Sequence, residues 1–342
     1  MELTACNNIN KSKVFLRVDF DVSLDKKGKV ESDYRIKRCV KTISQLKDQQ
    51  NKIALFTKIG RPKGKKDPTL STINILQKVQ DYVGETMFIK NIDELQFALS
   101  SKDLGIYLYE NTRFFEWEKN LENKNVSRIA NLFDFYVDES FATSHREESS
   151  NFQIPKLIEK VAYGLNYKKE IENLNKIRDG NFSHPSLFVL GGAKTETKIP
   201  MVEKMVDKFT YIIVGGKLCS EKTMIDIAKK YKNVKVLKNG GAGFDIDSNS
   251  TDILVRAVSL AKTVVWNGPV GLFEDPEYSK GTVSLINAFK NKKGVVVAGG
   301  GDTISAIEKF GNFKNFTFIS TGGGAMFSYL LGNKTNMEKM LS

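Results

Sequence analysis

Cysteine and histidine are scarce in this chain. Its three cysteines, Cys6, Cys39 and Cys219, are odd in number, widely spaced and form no CxxC pair. That fits a reducing, cytoplasmic setting rather than a disulfide framework or a zinc site. The only histidines are His145 and His184. His145, beside Arg146, reads as a structural or ligand-shell residue, and His184, in NFSHP, as a linker residue. No apolar run approaches the roughly 20 residues that span a bilayer. The opening stretch MELTACNNIN is polar and lacks the basic-then-apolar order of a signal peptide.

A chain of 342 residues with 41% hydrophobic and 27% charged residues is long enough for two domains, each with its own core. Its net charge of +12 raises the question of nucleic acid. No nucleic-acid-binding module is present, however. Much of the excess lies in helical patterns such as EIENLNKIRD and DIAKKYKNVKV, where solvated lysine accounts for it. A basic cleft for small anions is the sharper reading.

Short β-branched or aromatic runs alternate with helical patterns along the whole chain, which predicts an α/β fold with parallel sheets. In the first half, KVFLRVDF, KIALFT, IYLY and FDFYV each bring an arginine: Arg17 inside the first, then Arg61, Arg113 and Arg146 after the others. Arg35 opens the first helix in SDYRIKR. Ligands of open parallel sheets bind beyond the carboxyl ends of the strands, so four such strands would make a multidentate anion site. In the second half the strands end in glycine: SLFVL runs into GGAKTETK, YIIV into GGK, TVVW into NGPVGLFE, VVVA into GGGDT and FTFIS into TGGGA. Glycine lets backbone N–H groups approach an anion at a helix N-terminus. Lys194 and Lys198, at i,i+4 spacing, could face the same phosphates. Between the halves a connecting helix ends before Gly180 and Pro185. The expectation is two doubly wound parallel-sheet, Rossmann-like domains facing across a cleft.

The motifs RVDFDVS, IGRPKG, YENTRFF, GGAKTETKI, VVWNGPVGLFE, GGGDT and STGGGA, in this order, resemble the phosphoglycerate kinase family over most of the chain. The resemblance implies reversible phosphoryl transfer between MgATP and 3-phosphoglycerate in glycolysis, by a hinge-bending, monomeric, cytoplasmic enzyme. It implies a substrate domain over 1–165, a connecting helix over 166–180 and a nucleotide domain over 181–333, with the tail 334–342 returning to the first domain. It places Asp19, Phe20, Asp21, Arg35, Lys58, Ile59, Gly60, Arg61, Arg113 and Arg146 on 3-phosphoglycerate. It places Lys194, Lys198, Glu274, Gly300, Gly301, Asp302 and Thr303 on the nucleotide, with Glu274 on the ribose and Asp302 on Mg²⁺. Arg35, Lys194, Gly301 and Gly324 would stabilise the phosphoryl group in transfer, with Gly322 and Gly323 beside Gly324. The partners implied are small molecules only, with no membrane and no nucleic acid.

The chain departs from the family pattern in four residues and one length. Asp21 stands where Asn is usual, adding negative charge near an anionic substrate, and Lys58 stands where His is usual. Thr197 replaces an Asp close to the nucleotide lysines, and Glu139 stands where Asp is common. The stretch from YIIVGGK to TVVWNGP, over 215–262, is much shorter than usual and bears on the adenine pocket, with GFDID a trace of the family's segment. Two other readings compete. One is a weak or inactive derivative that binds anions or nucleic acid through its basic cleft. The other is a dinucleotide dehydrogenase, which lacks support because no GxGxxG opens a first βα unit.

Overall fold

The computed structural model describes residues 1–25, 28–62, 65–193 and 195–342. It divides into two units, Met1–Ile171 with Lys334–Ser342, and Glu172–Asn333. Among the described residues, no helix is long and apolar enough to cross a membrane.

The first unit holds β1 (Glu2–Ala5), β2 (Lys13–Arg17), β3 (Lys52–Phe56), β4 (Met87–Ile89), β5 (Ile106–Tyr109), β6 (Phe135–Asp138) and β7 (Lys160–Tyr163). They form one sheet in the order β1-β7-β6-β2-β3-β5-β4, every pairing parallel. The second unit holds β8 (Ser186–Leu190), β9 (Tyr211–Val214), β10 (Val234–Val236), β11 (Thr263–Asn267), β12 (Val295–Gly299) and β13 (Phe318–Ser320). These are again all parallel, in the order β10-β9-β8-β11-β12-β13. The predicted α/β class with two parallel sheets is what the chain forms. Central strands such as Ser186–Leu190 are buried at every position, as strands covered on both faces must be. The helix Tyr34–Asp48 buries Ile36, Cys39, Thr42, Ile43 and Leu46 along one stripe, the i, i+3, i+7 spacing of a face laid on a sheet. One helical reading fails in part: in DIAKKYKNVKV only the first residues belong to the helix Lys222–Lys230, and Val234–Val236 is strand β10.

Arg17 is not at the ligand edge. It is fully buried, with Nε donating to Ser150 Oγ at 3.0 Å and Nη1 to the carbonyls of Val18 at 2.7 Å and Phe56 at 3.3 Å. Strand alternation is the reason: Arg17 shares a sheet face with Phe15, which stacks on Phe56 at 3.8 Å. There it faces buried acids. Glu118 accepts from Thr112 Oγ1 at 3.0 Å and from Ser150 Oγ at 2.7 Å and N at 3.0 Å. Asp138 accepts from Ser140 N at 2.8 Å. Burial pushes both carboxyls up to about 7 against the pull of Arg17. Both groups titrate near ~4 in an unfolded chain, so the folded state holds their protons more tightly between those values. Their contribution to stability is therefore greatest below about 4, declines as pH rises through about 7, and is constant above. Denaturation midpoints measured from pH 4 to 8 are expected to fall less steeply for Asp138→Asn than for the parent chain.

Glu139 has a different task. Its carboxylate accepts from Asn166 N at 3.1 and 3.0 Å, from Tyr167 N at 3.1 Å and from Thr42 Oγ1 at 2.7 Å. It thereby caps the helix Leu165–Arg178, which runs from the first unit into the second. Burial pushes this carboxyl up to about 8, opposed by those donors. The tail returns to the first unit. Asn336 N donates to Ser144 O at 2.8 Å, and its buried side-chain amide donates to Arg146 O at 2.5 Å.

Candidate active site

In the first unit the turns after β2, β3, β5 and β6 converge. Their order places β2 between β3 and β6, where the connections change direction, the usual ligand crevice of an open α/β sheet. Asp19 and Asp21 follow β2. The buried Asp19 carboxylate accepts from the Arg35 guanidinium. Burial tends to strip the charge from Arg35, but Asp19 and Asp21 outweigh it and raise its affinity for the proton.

Asp21 accepts from the Lys58 ammonium and from Gly60 N at 2.9 Å. Burial would raise the Asp21 carboxyl, yet Lys58, Gly60 and Arg35 together hold it below the usual carboxylate range. Two of the departures thus pair with each other. The added negative charge at Asp21 meets the cation at Lys58, so it is neutralised within the turn instead of repelling an anionic ligand.

Arg113 donates through Nη1 to Gly60 O at 2.8 Å and through Nη2 to Glu148 at 2.9 Å. Arg61 is exposed and Arg146 half-buried. Phe20 and Ile59 are buried, so their side chains support the turns. His145 is half-buried; burial, Arg146 and Lys58 lower its proton affinity against the pull of Glu148, so the neutral imidazole is favoured. Asn111, in YENTRFF, joins the site residues that the sequence points to. Its buried side chain accepts from Ile59 N at 3.2 Å and Arg113 N at 3.1 Å, and donates to the carbonyls of Ile59 and Leu70, each at 2.8 Å. It clasps the Lys58–Arg61 turn to the Arg113 turn. The one signal for it was its place just beyond the third strand.

In the second unit the direction changes between β8 and β11. There the turns at Gly191–Gly192 and Gly268–Pro269 press together: Gly191 N donates to Asn267 O at 2.9 Å and Gly192 N to Pro269 O at 2.6 Å. A side chain at Gly191 would strike the Gly268 and Pro269 carbonyls. The buried Lys198 reaches back to the Gly191 carbonyl, and a Cβ on Gly192 would lie 2.8 Å from its Nζ. Thr303 Oγ1 accepts from Gly268 N at 2.8 Å, tying the GGGDT corner to the same place.

The two triglycine corners abut. A Cβ on Gly323 would lie 3.3 Å from Gly300 Cα and 3.8 Å from Gly301 N. Gly300 has φ +104°, a conformation that admits glycine without strain. It opens the helix Gly301–Phe310, whose first turn carries the exposed Asp302. The helix Gly323–Leu330 starts at the second corner, with Gly324 exposed. Glu274 is exposed on the turn after β11, its carbonyl held by Lys309 Nζ at 3.0 Å. Thr197 is exposed on the helix Thr195–Met205. Lys194 lies outside the described residues. Among the described residues, no cluster of three His, Cys, Asp or Glu could hold a metal by itself.

The short segment closes a cavity of about 530 Å³ against this turn, lined by Gly240–Gly243, Phe244 and Tyr278. The two rings lie 5.1 Å apart, and Leu272 N donates to Phe244 O at 2.8 Å.

A sequence model of the family described as "Phosphoglycerate kinase" matches residues 4–227 and 218–333. The phosphoglycerate kinase of Finegoldia magna is 32% identical over 377 aligned positions that cover 95% of each chain. That of Pseudothermotoga lettingae is 31% identical, covering 95% of this chain and 94% of the relative. The alignment with the Finegoldia magna enzyme is longer than the 342-residue chain, so the relative carries segments with no counterpart here. Among solved structures, phosphoglycerate kinase from Coxiella burnetii superposes with a TM-score of 0.80 at 27% identity, covering 98% of this chain and 97% of its own.

Proposed function

The chain belongs to the phosphoglycerate kinase family, and from that premise we propose that it transfers a phosphoryl group reversibly between MgATP and 3-phosphoglycerate. The observation that carries the reading is the abutment of the two glycine corners, Gly323 on Gly300, beside Lys198 and Asp302. Such a surface offers backbone N–H groups, a helix N-terminus and a cation to one polyphosphate.

The acceptor is a substrate carboxylate, ionised at neutral pH since carboxyls titrate near ~4. No general base is needed, and the scarcity of histidine is no obstacle. Arg61, Arg113 and Arg146 bind the 3-phosphate, while Lys58 and Asp21 shape the turn that presents them. Arg35, Lys194 and the N–H groups of Gly301 and Gly324 neutralise the phosphoryl group in transfer. Donor and acceptor bind to different units and must meet for transfer, with water excluded as a competing acceptor. The exposed Asp302 carboxylate fits Mg²⁺, which takes one or two protein carboxylates and completes its shell from phosphate and water. Bound there, Mg²⁺ would offset the charge of the nucleotide phosphates. The Phe244–Tyr278 cavity receives the base, and Glu274 the ribose. The same reading makes the protein a cytoplasmic, glycolytic monomer.

Titration calorimetry tests these assignments. Lys198→Ala is expected to weaken MgADP binding about 10- to 100-fold, the loss of one charge-assisted contact, and to leave 3-phosphoglycerate binding unchanged. Equal weakening of both ligands would contradict the placement of Lys198.

A further inference from the structure

The nucleotide corner lies at the carboxyl ends of β8, β11, β12 and β13; a second cavity lies at the amino ends of β8, β9 and β10. It measures about 500 Å³ and is walled by Leu187, Tyr211 and Ile213 from the sheet and by Ile253, Ala257 and Leu260 from the helix Ser248–Leu260. Register and periodicity account for both walls. Leu187 pairs with Tyr211 and Val189 with Ile213, so Leu187, Tyr211 and Ile213 share one sheet face. Ile253, Ala257 and Leu260 fall at i, i+4 and i+7 on one helix stripe.

A parallel sheet is ordinarily covered on both faces, yet here Tyr211 is 56% and Leu260 66% exposed. The two stretches matched by the family model overlap at residues 218–227, and the cavity wall at Lys232–Lys235 lies just beyond that overlap.

The rim has one sign of charge. Lys232, Lys235 and Arg256 line the cavity and no Asp or Glu does. Among the described residues no ion pair joins any of the three to a carboxylate. A second copy meeting this face with its own would set six cations against one another. An apolar floor under a cationic rim matches a molecule with an apolar body and one anionic end.

We infer that this cavity binds small amphiphilic anions: a carboxylate, sulfonate or phosphate head on an apolar tail of roughly eight to ten carbons, a size suited to pockets of about 300–1,000 Å³. The tail lies between Tyr211 and Leu260, and the head meets Lys235 and Arg256. The site is separate from the nucleotide corner, and the inference stands apart from the catalytic reading.

Calorimetry with decanoate below its micellar concentration, on the full chain, tests it. Decanoate is expected to bind one-to-one and more tightly than octanoate by about fourfold per methylene. Binding should weaken at least about tenfold in the double variant Lys235→Glu/Arg256→Glu and for neutral decanol, and should persist in saturating MgADP. Absence of decanoate binding, equal binding by the double variant or by decanol, or displacement by MgADP would each overturn the inference. So would sedimentation showing a dimer that Leu260→Glu dissociates, because a second copy would then fill the groove. Kinase turnover of the double variant is expected to match the parent, which separates this result from any failure of the catalytic reading.

Discussion

Arg35→Ala lowers turnover by about 10²–10³-fold, the usual cost of removing one charge-stabilising donor from a transition state, and leaves MgADP affinity unchanged. Arg35 is held in place by the buried Asp19 carboxylate, so the substitution also leaves that carboxylate without its cation. Arg35→Lys separates the two effects. A lysine still places a point charge near Asp19 but lacks the planar fork that grips equatorial oxygens. Stability should therefore recover in Arg35→Lys while most of the turnover does not. A coupled assay read beside denaturation midpoints checks both halves. Full activity in Arg35→Ala would remove the residue from the chemistry.

Arg17→Met has the opposite signature. Arg17 lies beneath the sheet face with Glu118, Ser150 and Asp138 around it. Breaking a buried ionic network by deleting one partner costs about 3–5 kcal/mol, and that loss is expected in the unfolding free energy. The fraction that remains folded should bind 3-phosphoglycerate as the parent does. Adding Glu118→Gln and Asp138→Asn to Arg17→Met removes the buried acids left without their cation and should restore much of the stability. If Arg17→Met instead weakened ligand binding with stability intact, the burial argument would be wrong.

These two arginines show what the sequence could and could not carry. The runs read from hydrophobic periodicity and glycine placement become β2, β3, β5, β6, β8, β9, β11, β12 and β13, whereas β1, β4 and β7 have no counterpart among them and β10 lies in a stretch read as helical. Which face a side chain takes within a strand does not follow from its identity, so Arg17 reads the same as Arg61 until β2 is seen packed. Pairing across turns is equally invisible: Asp21 and Lys58 are 37 residues apart and each looks like a departure, yet together they make one neutral unit. Asn111 passes unnoticed because a buried amide bridging two turns has no local signature. The amphiphile cavity is hidden for the same reason, since its walls come from three strands and a helix whose register only the fold supplies. Glu139 is explained by reach, its carboxylate meeting the amides of Asn166 and Tyr167.

The central claim is that an arginine-lined turn cluster in one unit and a glycine-lined corner in the other hold the two partners of a single phosphoryl transfer. Its most direct test is steady-state turnover of the purified chain with saturating MgATP and 3-phosphoglycerate, read by reduction of the 1,3-bisphosphoglycerate formed. The account predicts sustained turnover that requires both substrates and is lost in Arg35→Ala. A folded chain that binds MgADP and 3-phosphoglycerate separately yet forms no 1,3-bisphosphoglycerate would contradict it.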